Sequence, residues 1–124
     1  MNSILIVDDD VGVQKLFSVF LKGKGYHVET AGNGIEGLSK LQENKIDLVL
    51  VDIMMPEMDG LEVVQAIRKE DKVLPIIAVS GGMRDVEINF VSCARDFGAN
   101  AIFEKPLVLA ELLKSVKALL PEAV

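Results

Sequence analysis

Short apolar runs alternate with amphipathic stretches along this chain. The runs are Ile4–Val7, Tyr26–Thr30, Leu48–Val51, Ile76–Val79 and Ala101–Phe103. Unbroken runs rich in Val, Ile and Leu are the pattern of parallel strands covered on both faces. The second run is poorer in apolar residues than the others. Between the runs the apolar spacing changes to that of helices. Val13, Leu16, Phe17, Phe20 and Leu21 form one stripe, with Asp10 placed to cap it and Gly23 and Gly25 to end it. Asn33 and Glu36 resemble a capping box before a helix carrying Ile35, Leu38 and Leu41 on one side. Its glycines, Gly34 and Gly37, weaken it by roughly 1 kcal/mol each relative to alanine. Asp59 and Glu62 open a third helix that offers Leu61, Val64, Ala66 and Ile67 to a core. Asp85 caps a fourth, with Phe90, Ala94 and Phe97 on one face and Gly98 as its stop. Leu109, Leu112, Leu113, Val116 and Leu120 make the last, which Pro121 ends.

Strands alternating with helices imply a parallel sheet with helices on both faces and right-handed crossovers. Five such units predict a single doubly wound α/β domain over residues 1–124, of flavodoxin-like (βα)5 form. The common strand order for this arrangement is 2-1-3-4-5.

Composition narrows the classes. The 124 residues are half hydrophobic with 5% aromatics, which suits an aliphatic core. A net charge of −6 argues against nucleic-acid binding. The one cysteine, Cys93, cannot form an internal disulfide, which fits a reducing cytoplasm. The N-terminal stretch has no basic segment of a signal peptide, and no apolar run approaches membrane-spanning length. A cytoplasmic protein without membrane association is expected.

The candidate chemistry lies where the strands end. The first run stops on Asp8, Asp9 and Asp10, the third on Asp52, the fourth on Ser80-Gly81-Gly82, and the fifth on Glu104-Lys105-Pro106. Ligands of open α/β sheets bind at these carboxyl ends. Taken singly, an Asp solvates a strand end, a Ser-Gly-Gly makes a turn and a Lys-Pro sits on the surface. Asp10 and Asp59 keep that plain reading as helix caps. Together, the predicted order brings Asp8, Asp9 and Asp52 side by side, with Ser80 next to Asp52 and Lys105 one strand further.

Converging carboxylates repel unless a cation joins them or one stays protonated. A hard divalent ion suits a set of oxygen donors better, and His27 and Cys93 lie on other elements. Magnesium needs one or two carboxylates and keeps several waters. Asp9 and Asp52 could ligate it directly, Asp8 through water, and the Met54 carbonyl would complete the shell. Asp52 then becomes a possible nucleophile toward a phosphoryl group, giving an acyl phosphate. Lys105 would neutralise one phosphoryl oxygen and the Ser80 hydroxyl donate to another.

The stretches Ile4-Leu-Ile-Val-Asp8-Asp9-Asp10, Asp47-Leu-Val-Leu-Val-Asp52-Ile-Met-Met-Pro56-Glu-Met-Asp59-Gly60, Ala78-Val-Ser80, Gly98-Ala99 and Lys105-Pro106 resemble the receiver domain of two-component response regulators, chemotaxis regulators among them. The resemblance covers essentially the whole chain. Because that family itself has the 2-1-3-4-5 order, order and resemblance are one expectation. The resemblance implies that Asp52 accepts a phosphoryl group from a histidine kinase or histidine phosphotransfer protein. It also implies that Asp8 and Asp9 organise magnesium, that Ser80 is the switch hydroxyl, that Lys105 pairs with phosphate and that the Lys105–Pro106 bond is cis. Such a domain is a phosphoacceptor that takes part in its own phosphorylation and dephosphorylation, not a conventional enzyme. With only Pro121 to Val124 after the last helix, the expectation is a stand-alone regulator without an output domain. Its downstream protein target would bind the face of the fourth helix, fifth strand and fifth helix.

The chain departs from the family pattern at Ile102, where an aromatic commonly precedes the lysine by three residues. Strand alternation sends the neighbouring Phe103 to the opposite face. The segment from Ser80 to Lys105 is slightly longer than is usual. Two other functions compete. Asp8-Asp9-Asp10 contains the Asp-x-Asp of haloacid-dehalogenase-like phosphatases, but Gly12 stands where that motif wants Thr. A non-phosphorylated interaction module on the same fold would be favoured by a missing acid, Ser or Lys, and none is missing. Flavin binding is weaker still, for want of a Ser/Thr-Gly-rich phosphate loop after the first strand.

Overall fold

Three of the five strand runs, at residues 3–7, 48–52 and 76–80, carry no polar side chain along their middle and are buried on both faces. A computed structural model describes residues 2–53, 60–80, 97–104 and 108–120. In chain order the elements are β1 (Ser3–Val7), α1 (Val11–Gly23), β2 (His27–Ala31), α2 (Gly34–Glu43), β3 (Leu48–Asp52), α3 (Gly60–Glu70), β4 (Ile76–Ser80), β5 (Ala101–Glu104) and α4 (Leu109–Leu119). The strands form one parallel sheet in the order β2-β1-β3-β4-β5, as expected.

Alternation along each strand divides the core in two. Ile4, Ile6, Leu48, Leu50, Ile77 and Val79 face Phe17 and Leu21 of α1 and Leu112 and Val116 of α4. Leu5, Val7, Val49, Val51 and Ile76 face the other way, against Val63, Val64 and Ile67 of α3, with Leu38 and Leu41 of α2 packed alongside. A smaller group, Ile53, Leu61 and Ala78, lies on this second side, with Phe97, Ala99 and Ile102 against it.

Two helices present a different arc to the sheet than the stripes predict. Leu16 is 53% exposed, while Phe17 is buried. Leu16 lies roughly 100° around the helix from Phe17, and the contact with the sheet centres on Phe17 and Leu21, leaving Leu16 at the edge. Ile35 is likewise 59% exposed. The inner face of α2 is formed by the buried Gly34 and Gly37, with Leu38 and Leu41 partly buried. A Cβ on Gly37 would stand 2.9 Å from the Val7 Cγ2. The glycines are therefore the contact surface that lets α2 approach β1.

The predicted ends of the first two helices hold, while Asp59, Asp85 and Pro121, predicted to bound the later ones, lie outside the described residues. Asp10 caps α1 by accepting from the Val13 N–H. Beyond Gly23, the Gly25 N–H donates to Lys22 O and the Tyr26 N–H to Leu21 O, a Schellman turn made possible by Gly25 at φ +96°. Asn33 accepts from Glu36 N at 2.8 Å, and Glu36 Oε1 accepts from Gly32 N at 2.7 Å. The predicted fourth helix lies outside the described residues except at its end, where Phe97 is partly buried. Among the described residues, no helix is long and apolar enough to cross a membrane.

Candidate functional site

Register decides what meets at the strand ends. Val7 pairs with Val51, so Asp8 and Asp52 leave β1 and β3 at the same level. Asp52 pairs with Val79, which places Ser80 one residue beyond it on the next strand. Asp8, Asp9 and Asp52 each bring a carboxylate oxygen within 4.8 Å of the others. Asp8 and Asp52 are buried, at 2% and 5% exposure, and Asp9 is exposed. Two carboxyls thus form the floor of the site and the third stands at its rim. Ser80 is also buried.

The surrounding backbone holds these groups in place. The Asp10 N–H donates to Asp8 Oδ1 at 2.9 Å, turning that carboxylate toward the loop. Asp8 N donates to Ala31 O, anchoring the tip of β1 to that of β2. Gln14 Nε2 donates to Asp8 O at 2.6 Å and to Ala31 O at 3.2 Å. On the other side, Ile53 N donates to Val79 O, and Gly60 N to Ile53 O at 2.8 Å. A Cβ on Gly60 would run into the Asp52 carbonyl oxygen and stand 2.6 Å from the Ile53 Cα. Only glycine lets α3 begin this close to the peptide between Asp52 and Ile53.

The donor set fits a hard divalent cation. Its grouped ligands are carboxylate oxygens, which suit magnesium or calcium better than a soft metal. His27 is elsewhere, beside Glu29 on β2 at 2.9 Å. Two sequence expectations, Lys105 and the Met54 carbonyl, lie outside the described residues, as does Cys93.

The strands beside the site carry the expected alternation. Ile102 pairs with Ala78 and joins the cluster of Ile53, Leu61 and Ala78, on the same side of the sheet as Ser80. Phe103 packs against the opposite cluster, beneath α1 and α4. Further from the tips, Arg68 of α3 donates through Nε and Nη2 to Gly98 O and through Nη2 to Asn100 Oδ1. Burial pushes the pKa of this guanidinium below its ordinary value, opposed by nearby Asp71. Asn100 Oδ1 also accepts from Ile76 N, so Arg68 fixes the starts of β4 and β5 together. A groove of about 880 Å³ runs between α2 and α3, lined in part by Leu38, Leu41, Ala66 and Leu74. None of the described acids of the site lines it.

Sequence reasoning missed Gln14, Gly60 and Arg68. Gln14 was detectable, because it is a polar residue on the buried arc beside Phe17. Gly60 stands in the stretch that carries the resemblance, but its close approach to Asp52 and Ile53 depends on how α3 packs, and Arg68 gave no signal because its partners lie about 30 residues away.

Residues 4–117 match the family described as the response regulator receiver domain. The chain belongs to that family. Two curated relatives place the receiver domain beside larger regulators. It is 38% identical over 120 residues to the transcriptional regulatory protein CpxR homolog of Haemophilus influenzae, covering 97% of this chain and 51% of that protein. It is 40% identical over 117 residues to the response regulator MprA of a Mycobacterium species, covering 94% of this chain and 50% of that one. The chain therefore spans about half the length of these relatives.

Among solved structures, the CheY-like receiver domain protein of Methanospirillum hungatei superposes with TM-score 0.88 at 31% identity, covering 95% of this chain and 92% of that one. The response regulator TrrA of Thermotoga maritima, solved with Mg2+ and BeF, gives TM-score 0.85 at 35% identity over 96% and 99% of the two chains. Receiver domains act in two-component signal transduction, take phosphoryl groups from histidine kinases or phosphotransfer proteins and bind Mg2+ in an acidic pocket. The acid cluster of this receiver domain occupies the corresponding kind of pocket. The phosphatase alternative is not favoured.

Proposed function

We propose that Asp52 is the phosphoacceptor of this receiver domain, and that a phosphohistidine of a histidine kinase or histidine phosphotransfer protein is the donor. The observation that carries this reading is the meeting of three carboxylates within 4.8 Å at adjacent strand tips, with two of them buried. One Asp52 carboxylate oxygen attacks phosphorus in line, forming the O–P bond of an acyl phosphate. The P–N bond to the donor imidazole breaks and the imidazole leaves with a proton. Magnesium, held by Asp9 and Asp52 with Asp8 behind them, would neutralise phosphoryl and carboxylate charge. The exposed Asp9 leaves the rim open to a protein-borne donor. Lys105 would meet a second phosphoryl oxygen and Ser80 a third.

Phosphorylation alters which protein partner is bound, and the chain is not a conventional enzyme on this reading. The switch begins at Ser80, whose hydroxyl is drawn toward the new phosphoryl oxygens by a charge-assisted hydrogen bond. Ile102, on the same side of the sheet, takes the place of the usual aromatic. The partner surface on this reading is the one expected from the sequence, at the predicted fourth helix, β5 and α4.

Intact-mass analysis tests the assignment directly. With magnesium and a small acyl phosphate or phosphoramidate donor, the wild-type chain gains one phosphoryl mass and Asp52→Asn does not. Full labelling of the Asn variant would show that another residue is the acceptor.

A further inference from the structure

We propose that Gln14 is a positioning residue of the acid site: its carboxamide holds the peptide between Asp8 and Asp9 so that both carboxylates address one cation. The inference rests on reading the cluster as a divalent-cation site. Gln14 projects from the first turns of α1, and its Nε2 reaches two carbonyl oxygens, Asp8 O at 2.6 Å and Ala31 O at 3.2 Å. A carboxamide nitrogen carries two hydrogens, one for each carbonyl. The bridge therefore joins α1, the tip of β1 and the tip of β2 in a single contact.

What this fixes follows from peptide planarity. Asp8 C=O and Asp9 N–H belong to one rigid plane, with soft rotation only on either side of it. Holding the carbonyl inward sets ψ of Asp8 and φ of Asp9, and with them the direction in which the Asp9 side chain leaves the backbone. Asp8 is fixed a second time by the Asp10 N–H on its carboxylate. Asp9 is exposed, so the peptide plane preceding it is what orients it.

The chemistry of the side chain also matters. Glutamate at this position would have no hydrogen for either carbonyl and would add a negative charge beside the acids. Lysine could donate, but its charge would compete with the metal. A neutral double donor holds the loop without altering the field of the site.

Magnesium chloride titrated into the purified, unphosphorylated chain, followed by backbone amide shifts, tests the role without any measurement of phosphoryl transfer. Gln14→Met keeps the length of the side chain and removes both donors. Its magnesium Kd is expected to rise about tenfold, as when groups supporting metal ligands are lost. Gln14→Asn retains the amide on a shorter stem and is expected to weaken binding similarly, which serves if the Met variant does not fold. Phe17→Leu, on the same helix, loosens packing without touching the loop and is expected to keep the wild-type Kd. A Gln14 variant that stays within twofold of wild type, or a Phe17→Leu variant that weakens binding as much, would overturn the positioning role while leaving the metal site standing. A wild-type chain with no magnesium-dependent shifts would overturn both.

Discussion

At the residue scale, the three acids differ in burial and hence in what each loses on substitution. Asp9 stands at the rim, so Asp9→Asn removes one negative charge from the cluster with little effect on the core. Magnesium affinity and labelling of Asp52 are both expected to fall, because less charge remains to hold the cation and offset the phosphoryl group. Titration of wild type and Asp9→Asn by amide shifts checks this, and equal affinities would argue against direct ligation by Asp9. Gly60 acts through space alone. A methyl group there meets the backbone of Asp52 and Ile53, which cannot rotate away as a side chain could. Gly60→Ala is expected to cost about 2 kcal/mol, within the range for overpacked sites, and to slow labelling by displacing Asp52. Urea unfolding and the mass assay measure the two effects separately. The acids were legible in the sequence because strand-end carboxylates stand out against apolar runs. The demand for glycine at residue 60 was not, because it arises from the distance between α3 and the end of β3.

At the element scale, the glycines of the helices separate local propensity from packing. Gly23 ends α1 with no atom near a would-be Cβ, whereas Gly37 lies on Val7, itself fully buried. Helix propensity favours alanine at both positions by up to about 1 kcal/mol. Gly23→Ala is therefore expected to raise the thermal midpoint. Gly37→Ala is expected to lower it, stability falling by about 1 kcal/mol net once the clash with Val7 is included. Thermal unfolding of the two variants side by side is the check, and a stabilised Gly37→Ala would mean that α2 can lift off the sheet without cost. From sequence alone, Gly34 and Gly37 read only as weak points of a helix. Ile35 and Leu16 read as core residues, yet both are exposed because the apolar arc of each helix is wider than the strip the sheet covers.

At the scale of the whole molecule, the site and its readout share the sheet. Ser80 and Glu104 are paired neighbours on β4 and β5, and Arg68 ties the far ends of the same two strands to α3. With their starts fixed, the proposed movement of Ser80 toward Asp52 is expected to be expressed at the strand ends that bear the site. Adding beryllofluoride and magnesium as a phosphoryl mimic is expected to shift backbone amides of residues 80–90 and of β5 most strongly. Ile76, Asn100 and their neighbours at the Arg68 end should shift least. Large changes confined to α2, with the segment after Ser80 silent, would place the readout on a different face.

The sequence by itself determined the alternation of strands and helices, the helix ends at Asp10, Gly25 and Asn33, and the acids of the site. These are local properties: side-chain period, backbone preference and the appearance of charge where an apolar run stops. Only the tertiary structure decided which arc of α1 and α2 meets the sheet, and why residues 37 and 60 carry no side chain. It also revealed that Gln14 spans two strand tips and that Arg68 joins two strand starts. Such features depend on distances between segments far apart along the chain, and those distances exist only once the sheet has set its register.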